Sequence, residues 1–479
     1  MRRPAAASIC LTLLSAAVAR AASTPATGTN TAVATGWERS FQAGVTDPAG
    51  HYIGGATIMH LVGHQGYLFA ADSYWCDARN IWYGGHYPST GWAQILRLDH
   101  PGGPWTVDLD LGPQYLRPEI LKSVTFRTDA TGHPLLKPVN LLLTAAFSPF
   151  PGRVEVSIFT RDDATGKWAK TFVYSGPKAA EGDGYSVRAM CIHRDSVTGI
   201  DRIFLPIGTL GIFSGVYDPD SPGKIKWSPK SESGSVETRP LAIIEAGGNL
   251  VFSAGKKIYR RIDGPKPAYK IIQDISDLYP GTVRSATGGI RGLTAIPNPG
   301  GKGESLIFAM WEERSRGDIY RLDPAAGGSY TRTREISLAD LVTQYLPGAP
   351  VRMVGAAYSD FHPVTDPATG KTLHLVGFET WISGHRYPTW GGTDKGGFYA
   401  GAMVAVRDAK GHYTLREVNG RITSAKPPLV AVYSFALSPF ASDHGQKIYF
   451  SGIDANKKPA TNLAWVFSTS LQSFLHPAQ

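Results

Sequence analysis

One unit recurs along this chain at roughly 50–60-residue intervals: four short apolar segments joined by turns. A repeat of that length cannot bury its own apolar face, so copies must stack on one another to make a core. The clearest copy occupies residues 123–174. Segments 123–128, 139–146, 153–161 and 168–174 alternate apolar with polar residues and are rich in β-branched side chains, the pattern of half-buried strands. Between the last two, Asp-Asp-Ala-Thr-Gly-Lys supplies turn chemistry. The four strands of a unit are labelled A to D.

The same order reads through the rest of the sequence. The first unit runs ATIMHLV, YLFAADSYW, AQILRLD and PWTVDLDL, and the third opens VRAMCIH before RIFLPI and GIFSGVYD. The fourth to seventh units open RPLAIIE, IRGLTAI, VRMVGAAY and VAVYSFALS. The seventh has no strand D at the C-terminus. Near the N-terminus, however, GWERSFQAG matches the strand-D pattern of PWTVDLDLG and GKWAKTFVYSG. It is predicted to return and complete the last sheet, because a closed ring leaves only short, protected strand edges. Residues 338–347, LADLVTQYLP, are expected to add one or two helical turns.

The predicted fold is all-β: a seven-bladed β-propeller of four-stranded antiparallel blades, closed by an N-terminal strand, with residues 23–479 as one domain. On this periodicity the chain resembles the seven-bladed β-propeller superfamily over nearly all of its mature length. WD dipeptides, the double-glycine spacing of kelch repeats and SxDxGxTW boxes are absent from the sequence. In size and layout alone it is similar to secreted polysaccharide-lyase propellers of the ulvan-lyase kind. That resemblance carries no individual residue over to this chain.

Composition agrees with many short strands. Gly 54 and Pro 34 make up roughly 18% of the chain against a background of about 12%, too many breakers for a helix-rich protein. Arg2 and Arg3, an apolar run from Ala5 to Val18 and small residues around Ala19 to Ser23 read as a secretory leader, residues 1–22, so the mature protein is expected to be secreted or periplasmic. No stretch is long and apolar enough to predict a membrane span. The formal charge of +9 falls to about +6 without Arg2, Arg3 and Arg20, too little and too dispersed for a nucleic-acid track. Cys76 and Cys191 fall in different units and are not expected to pair. No CxxC, HExxH, GxSxG, P-loop or GxGxxG motif is present, which lowers the odds of the commonest hydrolase and nucleotide sites.

In a propeller the loops entering strand A and the B–C loops share one face, usually the ligand face. Arg188, Arg239, Arg291 and Arg352 stand at nearly equivalent places at the starts of strand A, with Lys122 close by in the second blade. Converging guanidiniums would bind carboxylate or sulfate; alternatively each arginine pairs with a neighbouring blade, as a repeated structural device. The B–C loops of blades 1 and 6 are long and aromatic, WCDARNIWYGGHYPSTGW and WISGHRYPTWGGTDKGGF, and flank blade 7 in a closed ring. Trp75, Trp82, Tyr83, Trp381 and Trp390 offer flat faces for sugar rings, and Arg386 adds a cation. His86, Tyr87, His385 and Tyr387 are the candidate proton carriers. Glu312, Glu313 and Glu379 end B strands on the same face as candidate carboxylates.

Other polar residues are expected to be structural. His60 and His64 lie along a strand and its turn, His193 ends a strand, and Asp360 and His362 adjoin an A–B loop on the opposite face. The Thr-Gly turns at 163–166 and 366–370 are turn formers before they are calcium ligands. The expected function is a monomeric, secreted carbohydrate-active enzyme acting on an acidic, uronate-containing polysaccharide by β-elimination. Such an enzyme requires no cofactor, calcium being the one admissible addition. A glycoside hydrolase and a non-catalytic glycan- or protein-binding propeller are the alternatives.

Overall fold

In the computed structural model seven antiparallel sheets follow one another around a common axis, each on a four-strand path with two extra short strands in blade 6, and the chain is a seven-bladed β-propeller. The structure describes residues 33–79, 91–148, 153–177, 185–279, 288–311, 316–348, 351–356, 360–382, 398–399, 401–420, 429–454 and 460–477. The leader expected at 1–22 lies outside them. The innermost strands are buried on both faces, as in Ala431–Leu437 of blade 7. The outermost, such as Ala268–Asp274 of blade 4, are largely solvated. This gradient follows from ring geometry: strand A packs against its neighbours around the axis, whereas strand D has neighbours on fewer sides.

The predicted closure is present. Trp37–Gln42 runs antiparallel to Ala464–Ser470, from Trp37 opposite Thr469 to Gln42 opposite Trp465. Thr469 Oγ1 donates to the Gly36 carbonyl at 2.6 Å and Gln42 Nε2 donates to the Ala464 carbonyl at 3.1 Å. The Trp37 ring lies 5.5 Å from Phe450 and 6.3 Å from Phe474, so the returning strand joins the blade through apolar contacts as well. In blade 2 the strands are Ile120–Thr128, Pro134–Phe147, Arg153–Asp162 and Lys167–Pro177, each somewhat longer than the sequence predicts. The predicted helical segment forms one α-helix, Leu338–Tyr345, capped by Ser337.

Turn chemistry is more regular than the sequence suggests. Asp162, Asp195 and Asp366 each open a D-x-x-T-G turn, accepting from the glycine N–H through the main-chain carbonyl at 2.8 Å in all three. The closing glycines Gly166, Gly199 and Gly370 sit at φ of 69°, 71° and 67°, where a side chain would be strained. The acid of the 163–166 turn is therefore Asp162, one residue earlier than expected, which frees Asp163 for other contacts.

A second repeat holds the blades together. Arg97, Arg161, Arg261 and Arg321, each two residues before an aspartate near the end of strand C, pair with Asp99, Asp163, Asp263 and Asp323. Three buried arginines of strand C also reach into the preceding blade. Arg161 pairs with Asp108 at 2.9 Å, Arg407 with Glu335 at 2.6 Å, and Arg261 with Glu232 and Asp195 at 2.6 and 2.8 Å. Histidines at the ends of strand A complete two of these clasps: His64 meets Asp163 at 2.8 Å and His193 meets Asp263 at 3.1 Å. Both are structural, as expected. Cys191 is a free thiol and so is not bonded to Cys76.

These clasps make stability depend on acid. Burial alone would raise Asp195 and Asp263, but hydrogen bonds from Arg261 and backbone N–H groups to the first, and from Ser196 and His193 to the second, hold both below the ordinary aspartate value. A folded pKa below the unfolded one means that unfolding takes up protons, so stability rises with pH through that window. The contribution is complete above about pH 5 and is lost as pH falls toward about 2. Arg261→Met leaves three acids without their cation and is expected to cost about 3–5 kcal/mol at pH 7 and less at pH 3. Urea unfolding of wild type and variant at the two pH values measures both.

Candidate functional site

At the end of the ring where the A strands begin, four guanidiniums and one carboxylate come together. Arg117 and Glu119 belong to the connection entering strand A of blade 2; Arg188 and Arg239 precede the A strands of blades 3 and 4, Cys191–Arg194 and Pro240–Ala246; Arg291 lies within Gly289–Pro297 of blade 5. Arg117 Nε donates to Glu119 Oε1 at 2.6 Å, and Arg188 stands 3.8 Å from Glu119 Oε2. Arg239 donates to Ser186 Oγ at 2.5 Å. Burial lowers the Arg188 guanidinium to about 9, the charges of Arg117, Arg239 and Arg291 pushing the same way and Glu119 opposing them. Among the described residues nothing accepts a hydrogen bond from the Arg188 side chain, which keeps 11% of its surface exposed.

Aromatic rings lie under two of the cations. Arg117 sits 4.5 Å over the Trp75 ring and Arg291 sits 4.4 Å over Trp311, both rings being buried. A cation stacked on an indole is held in place at little entropic cost. The rings thus position guanidiniums, with Trp75 presenting one face to Arg117 rather than to solvent. Trp381, half-buried near the end of Thr372–Ile382 in blade 6, packs against the same apolar cluster as Trp75 and Tyr433. The long loops expected on either side of blade 7 lie, from residues 80 to 90 and 383 to 397, outside the described residues. Glu379 is buried in the same strand. A methyl group on Gly355 of strand A would stand 2.8 Å from Glu379 Oε1 and 3.3 Å from Trp311 Nε1, so this carboxylate lies beside the Arg291–Trp311 pair.

Below the arginines lies a cavity of about 350 Å³ on the propeller axis. Arg188, Lys122, His60, Asp360 and His362 are its ionisable lining, and Ser123 and Ser434 line it too. Burial, then the charges of Arg188, Lys122 and Arg117, lowers His60 to about 3, although its Nε2 lies 3.2 Å from the Glu119 carbonyl. Burial also lowers His362, whose ring stacks on Phe435 at 5.9 Å.

Two sequence-based placements need correction. Arg352 does not join the cluster: the ladder between Val351–Ala356 and Thr372–Ile382 is irregular between Val351 and Met353, and Arg352, at that irregularity, is exposed. Asp360 and His362 do not adjoin the opposite face. Strand A of blade 6 is broken, with Val351–Ala356 and His362–Thr365 both pairing with Thr372–Ile382, and the residues at the break line the axial cavity. His86, Tyr87, His385, Tyr387, Arg386, Trp390, Trp82, Tyr83, Glu312 and Glu313 lie outside the described residues. Sequence reasoning missed Arg117, Glu119 and Trp311. Arg117 and Glu119 fall in a connector with no strand period, though LRPEILK stands at the position of the other A-strand arginines.

No protein-family model matches the chain, and no curated protein matches it. Among solved structures it is similar to the α-L-arabinofuranosidase Arb93A of Fusarium graminearum in complex with an iminosugar inhibitor, at 11% identity and a TM-score of 0.44, over 91% of this chain and 100% of that one. The same fungus's GH93 enzyme in complex with arabinobiose matches at 10% identity and a TM-score of 0.40, over 92% and 99%. A six-bladed fucose-binding lectin of Aleuria aurantia matches at 12% and 0.33, over 58% and 77%. Likenesses this distant do not bear on the site, and the propeller rests on the strand pairing of the chain itself.

His60 is expected to stay neutral across the physiological range. Its folded pKa lies below the unfolded value of about 6.5, so unfolding takes up a proton below that pH and stability falls as pH drops from about 6.5 toward 3. In a proton NMR titration the His60 ring resonance should not move between about pH 5 and 8. His60→Gln should remove part of the acid destabilisation in that window.

Proposed function

We propose that this protein is an exported carbohydrate-active enzyme that binds an acidic saccharide at the arginine-lined end of the propeller and hydrolyses it. The observation that carries this reading is the gathering of Arg117, Glu119, Arg239 and Arg291 around Arg188, which lines an axial cavity. Guanidiniums held on indole faces and on a buried carboxylate are pre-organised, so they bind a carboxylate or sulfate without reorganising. Cations so close together repel one another, and a bound anion relieves that repulsion.

Hydrolysis of a glycosidic bond calls for two carboxyl groups, one as acid and the other as base or nucleophile. Glu119 and Glu379 are two buried carboxylates of this face. Glu119 stands among the cations and Glu379 beside Trp311, the ring that carries Arg291. The leader-like residues 1–22 support export.

The test is a panel of uronate-containing and sulfated polysaccharides, assayed for new reducing ends and, in parallel, for the ultraviolet absorbance of an unsaturated uronate. Reducing ends without absorbance are the expected result, and Glu379→Gln should lower kcat by at least about 100-fold with folding unchanged. Arg188→Gln should weaken KM for charged substrates by about tenfold or more while sparing neutral ones. Absorbance rising with reducing ends would replace hydrolysis by elimination. Binding without either product would make the propeller a lectin.

A further inference from the structure

Residues from all seven blades wall the axial cavity: His60, Lys122, Arg188, Ile243, Gly292 and His362 from blades 1 to 6 and Phe435 from blade 7. Strands encircle the cavity on every side, so an entering ligand must travel along the axis. Its volume of about 350 Å³ corresponds to about a dozen waters at roughly 30 Å³ each, the space of one sugar ring and far too little for a chain. A polymer lying across the face cannot thread such a well. It can insert only an end.

The chemistry of the lining is asymmetric in charge. Arg188 and Lys122 are cations on adjacent blades, and both act electrostatically on His60. His60 and His362 are held neutral at physiological pH, so their ring nitrogens offer one donor and one acceptor each, suited to hydroxyl groups. His60 Nε2 is already engaged by the Glu119 carbonyl, which orients that ring. Asp360 adds an exposed acceptor, and the Phe435 ring backs His362.

We infer that this well is a binding subsite for one terminal uronate of the saccharide: Arg188 and Lys122 take the carboxylate, and His60, His362 and Asp360 take hydroxyls. The protein therefore acts from the end of an acidic chain and releases units stepwise. This rests on the acidic-saccharide reading above and adds to it the mode of attack and the class of residue recognised.

Two measurements on the full mature chain test it. In the first, free galacturonate, glucuronate and their methyl esters are titrated calorimetrically, with no turnover required. At least one free uronate should bind, its methyl ester at least tenfold more weakly. Arg188→Gln and, independently, Lys122→Gln should each weaken the uronate about tenfold or more, with an unchanged circular dichroism spectrum showing that the variant is folded. In the second, products from a susceptible polysaccharide are sized over time. Single residues should accumulate from the start while viscosity falls slowly.

If the polysaccharide is cut internally, with a rapid loss of viscosity and no binding of free uronate, the chain-end subsite is refuted while the acidic-saccharide enzyme stands. Equal binding of uronate and methyl ester, or binding unaffected by both variants, also refutes it. No cleavage and no binding of any acidic saccharide overturns the functional reading itself.

Discussion

Closure of the ring governs everything else in this molecule. A twisted four-stranded blade covers its neighbour only when the series returns on itself, and here the return depends on Trp37–Gln42 pairing with Ala464–Ser470. That pairing joins residues more than four hundred positions apart in the sequence, so it is slow to find and carries a large loop entropy. The buried edge and the Trp37–Phe450–Phe474 contacts offset that entropy. Closure also creates the axial well, because the innermost strands of seven blades stand too far apart to fill the centre with their own side chains.

The same residue type serves two purposes, distinguished by how many acids surround it. Arg261 is buried with Asp195, Glu232 and Asp263 around it; burial disfavours its charge, but those acids outweigh burial and raise its pKa. Arg188 is nearly as buried, has Glu119 at 3.8 Å, and its pKa falls. Such a clasp stores no affinity, since its hydrogen bonds are already made. A guanidinium with its donors facing a cavity and other cations nearby keeps that capacity for a ligand. The sequence raised both possibilities for the A-strand arginines. By position the arginines differ: Arg161, Arg261 and Arg407 of strand C join neighbouring blades, whereas Arg117, Arg188, Arg239 and Arg291 gather where strands A begin.

The fold was readable because its signal is periodic. Strand B of blade 2 and the returning strand at 37–42 were placed from apolar alternation and one aromatic; the first is longer than its predicted segment and the second lies within it. The site was less readable wherever the period breaks. Arg352 shares its sequence position with Arg291, yet Arg352 is exposed and Arg291 buried, and no residue type announces the difference. Asp360 and His362 follow a broken strand and looked like a loop. Arg117 and Glu119 stand in a connector, where periodicity has nothing to report. The strand-C arginine–aspartate repeat, by contrast, stood in plain view at 97–99, 161–163, 261–263 and 321–323. It is a charged pattern superimposed on an apolar one, and attention to strand pattern passes over it.

The two neutral histidines give the axial well its selectivity. A histidine beside Arg188 and Lys122 cannot charge without adding a third cation to a crowded, desolvated space, and His60 accordingly falls to about 3. His60 therefore adds no charge to the well through the range in which a free imidazole would titrate. Were His60 free to protonate, the field would strengthen in acid and the well would take inorganic anions less selectively. Holding the imidazoles neutral leaves the carboxylate to the guanidinium and ammonium groups and reserves the rings for hydroxyls. That division of labour lets a small cavity tell a sugar acid from a bare anion.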